Sequence, residues 1–586
     1  MHPCRTPCRP GTENDPCPWS ALLHSPYART AAGPETHLWE TLAGRAPVLV
    51  LARTFTSAVR AVEGLAVFRG DDRVKIVFAL SESTAFNAGT RELLESLQAA
   101  LVPWKLRHCV RPRLVLTASE NVDLTGFTCP VAVLPHGIGF QKLVPDHRTG
   151  GRRLSGLVRE ESQSADNVHL LLSHPAQLAQ LREARIPQAL LDRARVVGDP
   201  ARDRLVDARR LRHGYRARLG LHPGQRLLLL TSTWGPEGAI GSRPDLPGAL
   251  LGSLPHDLYR VAAVLHPNIW FAHSPWSVRH MLADALDSGL LLIPPHAGWG
   301  AAMVAADCVV GDHGSVTLYG ASLDLPVLLA AFGEESVPGT AAGALARSAV
   351  RLAAEDLRGQ VESAIEDHTP DRHRAAADLA FGRPGQGGRA LAELLYGFLD
   401  LLPPDEDGTA RTLPYPVPDG SGTPPRAFEV HGRLEGQGEI ALERFPAASR
   451  HTPAPRPGSV RHLSVLETEE RHSLARSASV VCRDTDAHDT PEAWAEEVLE
   501  LLPGALIAAS PTGDGTLVTI RGRRPLLVRT SLPLDPVLAS GAVYTLLRTV
   551  DRTEGTWKLH VGSLPRECSV EALPVTPPRT RPPESV

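Results

Sequence analysis

Five short stretches of this sequence gather imidazole, ammonium, hydroxyl and glycine residues, and each follows directly on a run of apolar residues. P-H-G-I-G-F-Q-K-L carries His136, Gly137, Gly139 and Lys142, and V-V-G-D-P-A-R-D-R-L carries Gly198, Asp199, Arg202 and Asp203. T-S-T-W-G-P carries Ser232, Thr233 and Trp234, and V-L-H-P-N carries His266. V-V-G-D-H-G-S-V carries Gly311, Asp312, His313, Gly314 and Ser315. A neutral imidazole titrates near physiological pH and can take a proton from a hydroxyl. A helix that begins at Ser315 presents free backbone N–H groups and its positive dipole end, while glycines beside it let an anion approach closely. These residue types suit a phosphate-bearing ligand. Each also has an ordinary reading. A strand-end histidine is more often a hydrogen-bonded structural residue, Ser315 can merely cap its helix, and Asp312 can hold the turn.

The elements that must position these residues follow from hydrophobic pattern. Ala306 to Phe332 reads as a buried strand (Cys308–Val310), a polar turn, a short helix and a second strand (Val327–Ala331). The same alternation starts at Pro47–Ala52 and continues through Arg73–Leu80, Arg113–Ser119, Val131–Gly137, Asn167–Ser173 and Ala194–Pro200. A second series opens at Arg226–Pro236 and runs through Tyr259–Pro267 and Leu290–Pro295. Uninterrupted apolar strands separated by helical segments predict parallel sheets covered on both faces. The fold class expected is therefore α/β, with two tandem Rossmann-like domains, 45–205 and 206–402, followed by a small α+β module. Open sheets of this kind bind ligands at the carboxyl ends of their strands. The apolar segment Ala390–Leu402 has helical periodicity and is expected to pack back on the first domain.

Outside the tandem domains the composition changes. Residues 1–44 and 574–586 read as disordered tails, and 403–426 as a proline-stiffened linker. In 427–573 we expect short strands, a hairpin within Gly515–Ser531, a loop at Pro453–Ser459, and one helix at Pro491 capped by Thr490. A net charge of −4 argues against nucleic acid as a partner. No apolar run approaches the roughly 18 residues of a membrane span, and the amino terminus lacks the apolar core of a secretory signal, so a cytoplasmic location is expected. Cys4, Cys8 and Cys17, near His2 and His24, lack a second ligand pair, and Asp484–Asp489 precedes a helix that acidic residues favour anyway. No metal and no cofactor is expected. P-loop, H-E-x-x-H and G-x-S-x-G motifs do not occur.

Order and spacing of the five stretches resemble those of the CDP-glycerol glycerophosphotransferase family, the polymerases and primases of teichoic-acid synthesis. His136, Gly137 and Lys142 are similar to the family's His-Gly-Thr element and following Lys, with Ile138 in place of Thr. Gly198, Pro200, Asp203 and Leu205 match its Gly-x-Pro-Arg-Asn-Asp-x-Leu element. Thr231, Ser232, Thr233 and Trp234 match Ala-Pro-Thr-Trp. His266 and Pro267 match Arg/Lys-x-His-Pro, with Val264 at the basic position. Gly311 to Ser315 match Thr-Asp-Tyr-Ser-Ser, with His313 and Gly314 as departures, and Leu323, Leu325 and Pro326 match the strand that follows. The resemblance spans roughly Pro47 to Phe332, about half the chain.

The resemblance implies a GT-B-like arrangement with an acceptor-side first domain and a nucleotide-binding second domain. It implies transfer of a glycerophosphate or related polyol-phosphate group from a CDP-activated donor to a hydroxyl or polyol-phosphate acceptor. Peripheral association with the inner membrane face stays open. His136 would act as base, and His266 would join Lys142 and the Ser315 helix end in holding the diphosphate. Gly137, Thr233, Trp234, Asp312 and Gly314 would complete the substrate site. A nucleotide-sugar glycosyltransferase or epimerase would use much the same cradle, and a non-catalytic nucleotide-binding protein is a third reading. The sequence is silent on the acceptor, the oligomeric state and the role of 427–573.

Overall fold

A computed structural model of the chain describes residues 45–81, 88–135, 137–145, 150–404, 411–419, 424–436, 438–484, 490–531, 533–550, 553–562 and 564–572. The two tails, the Cys4–Cys8–Cys17 group with its histidines, His136, the linker's 405–410 and 420–423 stretches, and Asp489 with the four residues before it lie outside the described residues.

Seven parallel strands form the first sheet, in the order Leu101–Val102, Val74–Leu80, Ala46–Ala52, Leu114–Thr117, Val131–Val133, Val168–Leu172 and Arg195–Val196. Leu49, Val50 and Leu51 are fully buried, because helices cover both faces. Thr54 starts the helix Phe55–Gly64 with a capping box, its side chain taking the Ser57 amide while Ser57 returns the bond to the Thr54 amide.

The second sheet has six parallel strands, ordered Leu291–Ile293, Tyr259–Leu265, Arg226–Ser232, Cys308–Gly311, Val327–Leu329 and Val350–Arg351. Strand order reverses between Arg226–Ser232 and Cys308–Gly311, which opens a crevice at their carboxyl ends. The chain then crosses back. Helix Gly387–Leu399 buries Ala390, Leu391, Leu395 and Leu399 in the same core as Val48, Val50 and Leu116 of the first domain. Two chain crossings thus join the domains. Where they touch, the Asp203 carboxylate accepts from the Gly385 and Gly387 amides at 2.8 Å each.

The expected small α+β module is instead a closed barrel of nine strands. Antiparallel pairing of Ala427–Glu435 with Val460–Leu466 closes it, and Glu439–Pro446 pairs in parallel with Gly555–Val561 across a long loop of sequence. Helix Pro536–Thr549 runs inside, with every residue from Pro536 to Leu546 buried. That helix escapes pattern reading because a helix surrounded by strands is apolar on all sides and shows no amphipathic stripe. Its start signal is ordinary: Asp535 accepts from the Val537 amide ahead of Pro536. The helix Pro491–Leu501, capped by Thr490, packs outside the barrel, where Trp494 and Leu499 cover Ala427, Val465 and Val481.

Arg444 seats the barrel on the second α/β domain. Its guanidinium meets both Asp257 oxygens at 3.0 Å and Asp535 at 2.6 Å, with its side chain only 8% exposed. Removing one partner of a largely buried ion cluster leaves charge uncompensated and costs about 3 kcal/mol. We expect Arg444→Ala to lower the melting temperature and to speed limited proteolysis in the linker before Ala427. Unchanged melting and cleavage would remove this seat.

Candidate functional site

Three neighbouring strands of the second sheet end at sequence-predicted positions: His266 after Tyr259–Leu265, Thr233 and Trp234 after Arg226–Ser232, and Asp312 to Ser315 after Cys308–Gly311. Packing forces a glycine at the last strand's end. A first side-chain carbon at Gly311 would lie 2.3 Å from Thr231 Oγ1 and 2.4 Å from Thr317 Oγ1, two hydroxyls that bond each other at 2.9 Å.

Asp312 is buried against backbone amides. It is 1% exposed, and its oxygens accept the amides of Thr233 (2.7 Å), Ala239 (2.8 Å) and Gly314 (2.8 Å). Burial pushes its pKa up, against those amides and the neighbouring His313. It is a positioning residue: one carboxylate shapes the Thr233 loop and the turn ahead of the helix Ser315–Ser322. The amides of Ser315 and Val316, the first two of that helix, donate to no acceptor among the described residues. Both residues are half-buried. Two unpaired N–H groups at a helix start are the donors an anion needs.

His266 accepts the Asn268 amide on Nδ1 at 3.1 Å, while its own amide donates to the Ser232 carbonyl at 2.9 Å. With Nδ1 occupied as acceptor, the neutral ring carries its proton on Nε2. In that tautomer Nε2 is a hydrogen-bond donor. Val264 lies in the hydrophobic core below, so that position supplies no charge.

The first domain reaches across this edge. Ile138 donates its amide to Ser315 Oγ at 3.3 Å, and its fully buried side chain joins the second domain's core beside Leu205 and Leu229. Ile138, apolar where the resemblance leads one to expect threonine, serves as a peg between the domains. Gly137 has φ +70°, and a first side-chain carbon there would sit 2.6 Å from Ser315 Oγ. From Gln141 the chain pairs with the other domain: Leu143 N–H donates to the Glu335 carbonyl (2.8 Å), and Val337 N–H to the Gln141 carbonyl (3.0 Å). This ladder brings Lys142 Nζ to 3.2 Å from Glu335 Oε1 and to 5.2 Å from the ring centre of Trp234, itself 43% exposed. His313 completes the group, with Nε2 2.8 Å from Glu335 and Nδ1 accepting the Gly333 amide at 3.0 Å.

The described candidates thus converge, except that Asp312 stands behind the site. His136 lies outside the described residues. Two further residues escaped sequence reasoning. Glu335 binds both Lys142 and His313, and its signal was another polar cluster, Glu334–Ser336, just past the strand Val327–Leu329. Glu237 packs against Gly333, and its Oε2 is buried with no hydrogen-bond partner among the described residues.

Glu335 carries a testable pH signature. Burial raises its pKa, but the His313 hydrogen bond and the Lys142 charge outweigh burial and hold it below the usual glutamate range. A lowered folded-state pKa stabilises at neutral pH and loses that contribution as pH falls through the folded value. Glu335→Gln should cost about 1 kcal/mol at pH 7, and the gap to wild type should close below about pH 4. A gap that is flat down to acid unfolding would contradict the contact. Separately, Ile138→Ala should cost about 2–4 kcal/mol through the cavity it leaves, read by chemical denaturation.

No protein-family model matches the chain, and no curated protein sequence does. The fold is similar to that of the wall teichoic acid polymerase TagF, with TM-score 0.43 and 11% identity over 61% of this chain and 90% of that one. It is also similar to UDP-GlcNAc 2-epimerase from Neisseria meningitidis bound to UDP-GlcNAc, with TM-score 0.39 and 15% identity over 60% and 99% of the two chains. MnaA of S. aureus in complex with UDP gives TM-score 0.37 and 11% identity over 62% and 99%. Likenesses this distant concern the course of the chain and assign no activity.

Proposed function

We propose that the chain is a transferase that moves a glycerophosphate or related polyol-phosphate group from a CDP-activated donor to a hydroxyl acceptor. One observation supports this reading above the others. Strand-end loops from two separate α/β domains meet at a helix start whose first two amides, Ser315 and Val316, lack acceptors among the described residues. A diphosphate needs such donors, placed before charge develops on it.

In this reading the acceptor hydroxyl attacks the β-phosphorus and CMP leaves. His136 removes the hydroxyl proton. The Ser315 and Val316 amides and His266 Nε2–H hold the phosphoryl oxygens while negative charge shifts to the departing CMP. Lys142, parked between Glu335 and Trp234, supplies a mobile positive charge at the cleft rim. Its ammonium can exchange the carboxylate for a phosphate oxygen, since a partly exposed ion pair holds by only about 1 kcal/mol. Glu237, half-buried with its Oε2 buried and unpartnered among the described residues, would accept a hydrogen bond from a hydroxyl of the donor's sugar or polyol.

His136→Ala and His266→Ala should each lower turnover of CDP-glycerol at least about 100-fold, measured as CMP release, with melting temperature little changed. UDP release from a UDP-sugar, without CMP release from CDP-glycerol, would favour a glycosyltransferase instead. Tight nucleotide binding with no turnover, unaffected by either substitution, would favour a binding protein. Full activity in both variants would overturn the mechanism and leave the fold standing.

A further inference from the structure

A cavity of about 430 Å³ lies between the barrel and the second α/β domain, and it shares no residue with the cleft. Its walls come from the helix Leu357–Glu366, the outer face of the barrel strands Ala427–Glu435 and Glu439–Pro446, and the connection after Pro446. Three guanidiniums line it, one from each wall: Arg358, Arg433 and Arg456.

Carboxylates on the same walls satisfy these groups only in part. Glu443 serves two arginines at once, with Arg358 Nη1 at 2.9 Å and Arg456 Nη2 at 3.5 Å. Arg358 also holds Glu362 through Nε at 2.8 Å, which leaves its Nη2 without an acceptor among the described residues. Arg433 uses Nη2 alone, on Glu435. Arg456 makes the one long ion pair and no side-chain hydrogen bond among the described residues. Asp356, the third acidic residue of the wall, is spent on capping its own helix through the Gly359 amide. Each guanidinium has five donors in a flat fork, so several N–H groups remain for an anion with more than one acceptor oxygen.

The remaining wall is closed by two buried rings. Phe445 and His431 lie side by side with ring centres 5.1 Å apart, and His431 is fixed by Glu429 at 2.8 Å. Phe445 is fully buried and the two rings are tilted by 53°, so they form a closed floor, and the arginines with spare donors are what would recognise a ligand, through a phosphoryl group. The volume is that of a small organic ligand.

We infer that this cavity is a second ligand site, for a small molecule that carries a phosphoryl group. The ligand is gripped by the second α/β domain through Arg358 and by the barrel through Arg433 and Arg456. Occupancy therefore ties the barrel to the nucleotide-binding domain more firmly than the Arg444 cluster does alone. This assigns the barrel a sensing role that does not depend on which reaction the cleft performs.

The test is isothermal titration of the full chain with CMP, with inorganic phosphate as a ringless probe. Arg433 and Arg456 have partly exposed side chains, 35% and 56%, so the double variant Arg433→Ala, Arg456→Ala should melt within a few degrees of wild type. The inference predicts saturable CMP binding that survives His266→Ala and weakens at least tenfold in the double variant. Inorganic phosphate should compete with CMP for this site, because the arginines grip the phosphoryl group. If the cleft also takes CMP, wild type shows two binding events and the double variant keeps one; if the cleft reading fails, wild type shows one and the double variant none. A CMP isotherm identical in wild type and the double variant would overturn the inference. So would the absence of any saturable binding to wild type.

Discussion

The Asp199 carboxylate, buried at the junction of the two α/β domains, accepts from Arg60 at 2.9 Å and from the Tyr319 hydroxyl at 2.8 Å. Its other oxygen caps the helix Pro200–Asp207 through the Ala201 and Arg202 amides. Arg60 belongs to the first domain and Tyr319 to the helix that starts at Ser315. One charged group therefore sets how that helix sits against the opposite domain. A buried carboxylate is stable only when fully paired, so the two domains have one relative placement that satisfies it. The neighbouring glycine, Gly198 at φ +83°, lets the chain turn into this junction, and the Gly382 carbonyl packs where a side chain would begin.

From that placement the cleft follows. With the Ser315 helix held, Ile138 can peg into the second domain's core, and the backbone from Gln141 to Leu143 can pair with Glu335 to Val337. Each contact brings a first-domain loop to the carboxyl edge of the second sheet. Asp312 arranges the same edge from below. Among the amides left over are those at the helix start, where a negative ligand is most favoured. Structure and proposed chemistry thus share one cause: the residues that hold the domains together also leave these donors unpaired.

Much of this was legible in the sequence, for a physical reason. Runs such as Val48–Leu51 and Leu227–Leu230 are buried on both sheet faces, so their pattern carries no polar interruption and announces a parallel sheet. Polar residues at the strand ends then fall on one edge by topology alone. What escaped was non-local. Glu335 meets Lys142 across 193 residues, and nothing near either residue signals the other. The barrel closes through pairs such as Glu439 with Lys558, 119 residues apart, so its strands read individually as a looser module. For Asp312 the sequence left two readings open, because a turn carboxylate and a ligand carboxylate occupy the same place in sequence; its three amide donors favour the turn.

The most direct measurement is a crystal structure of the full chain soaked with CDP-glycerol. The account predicts diphosphate density between the domains, with phosphoryl oxygens within hydrogen-bond distance of the Ser315 and Val316 amides and of His266 Nε2. Density that leaves those amides unpaired, or places the diphosphate away from the Ser315 helix start, would contradict it.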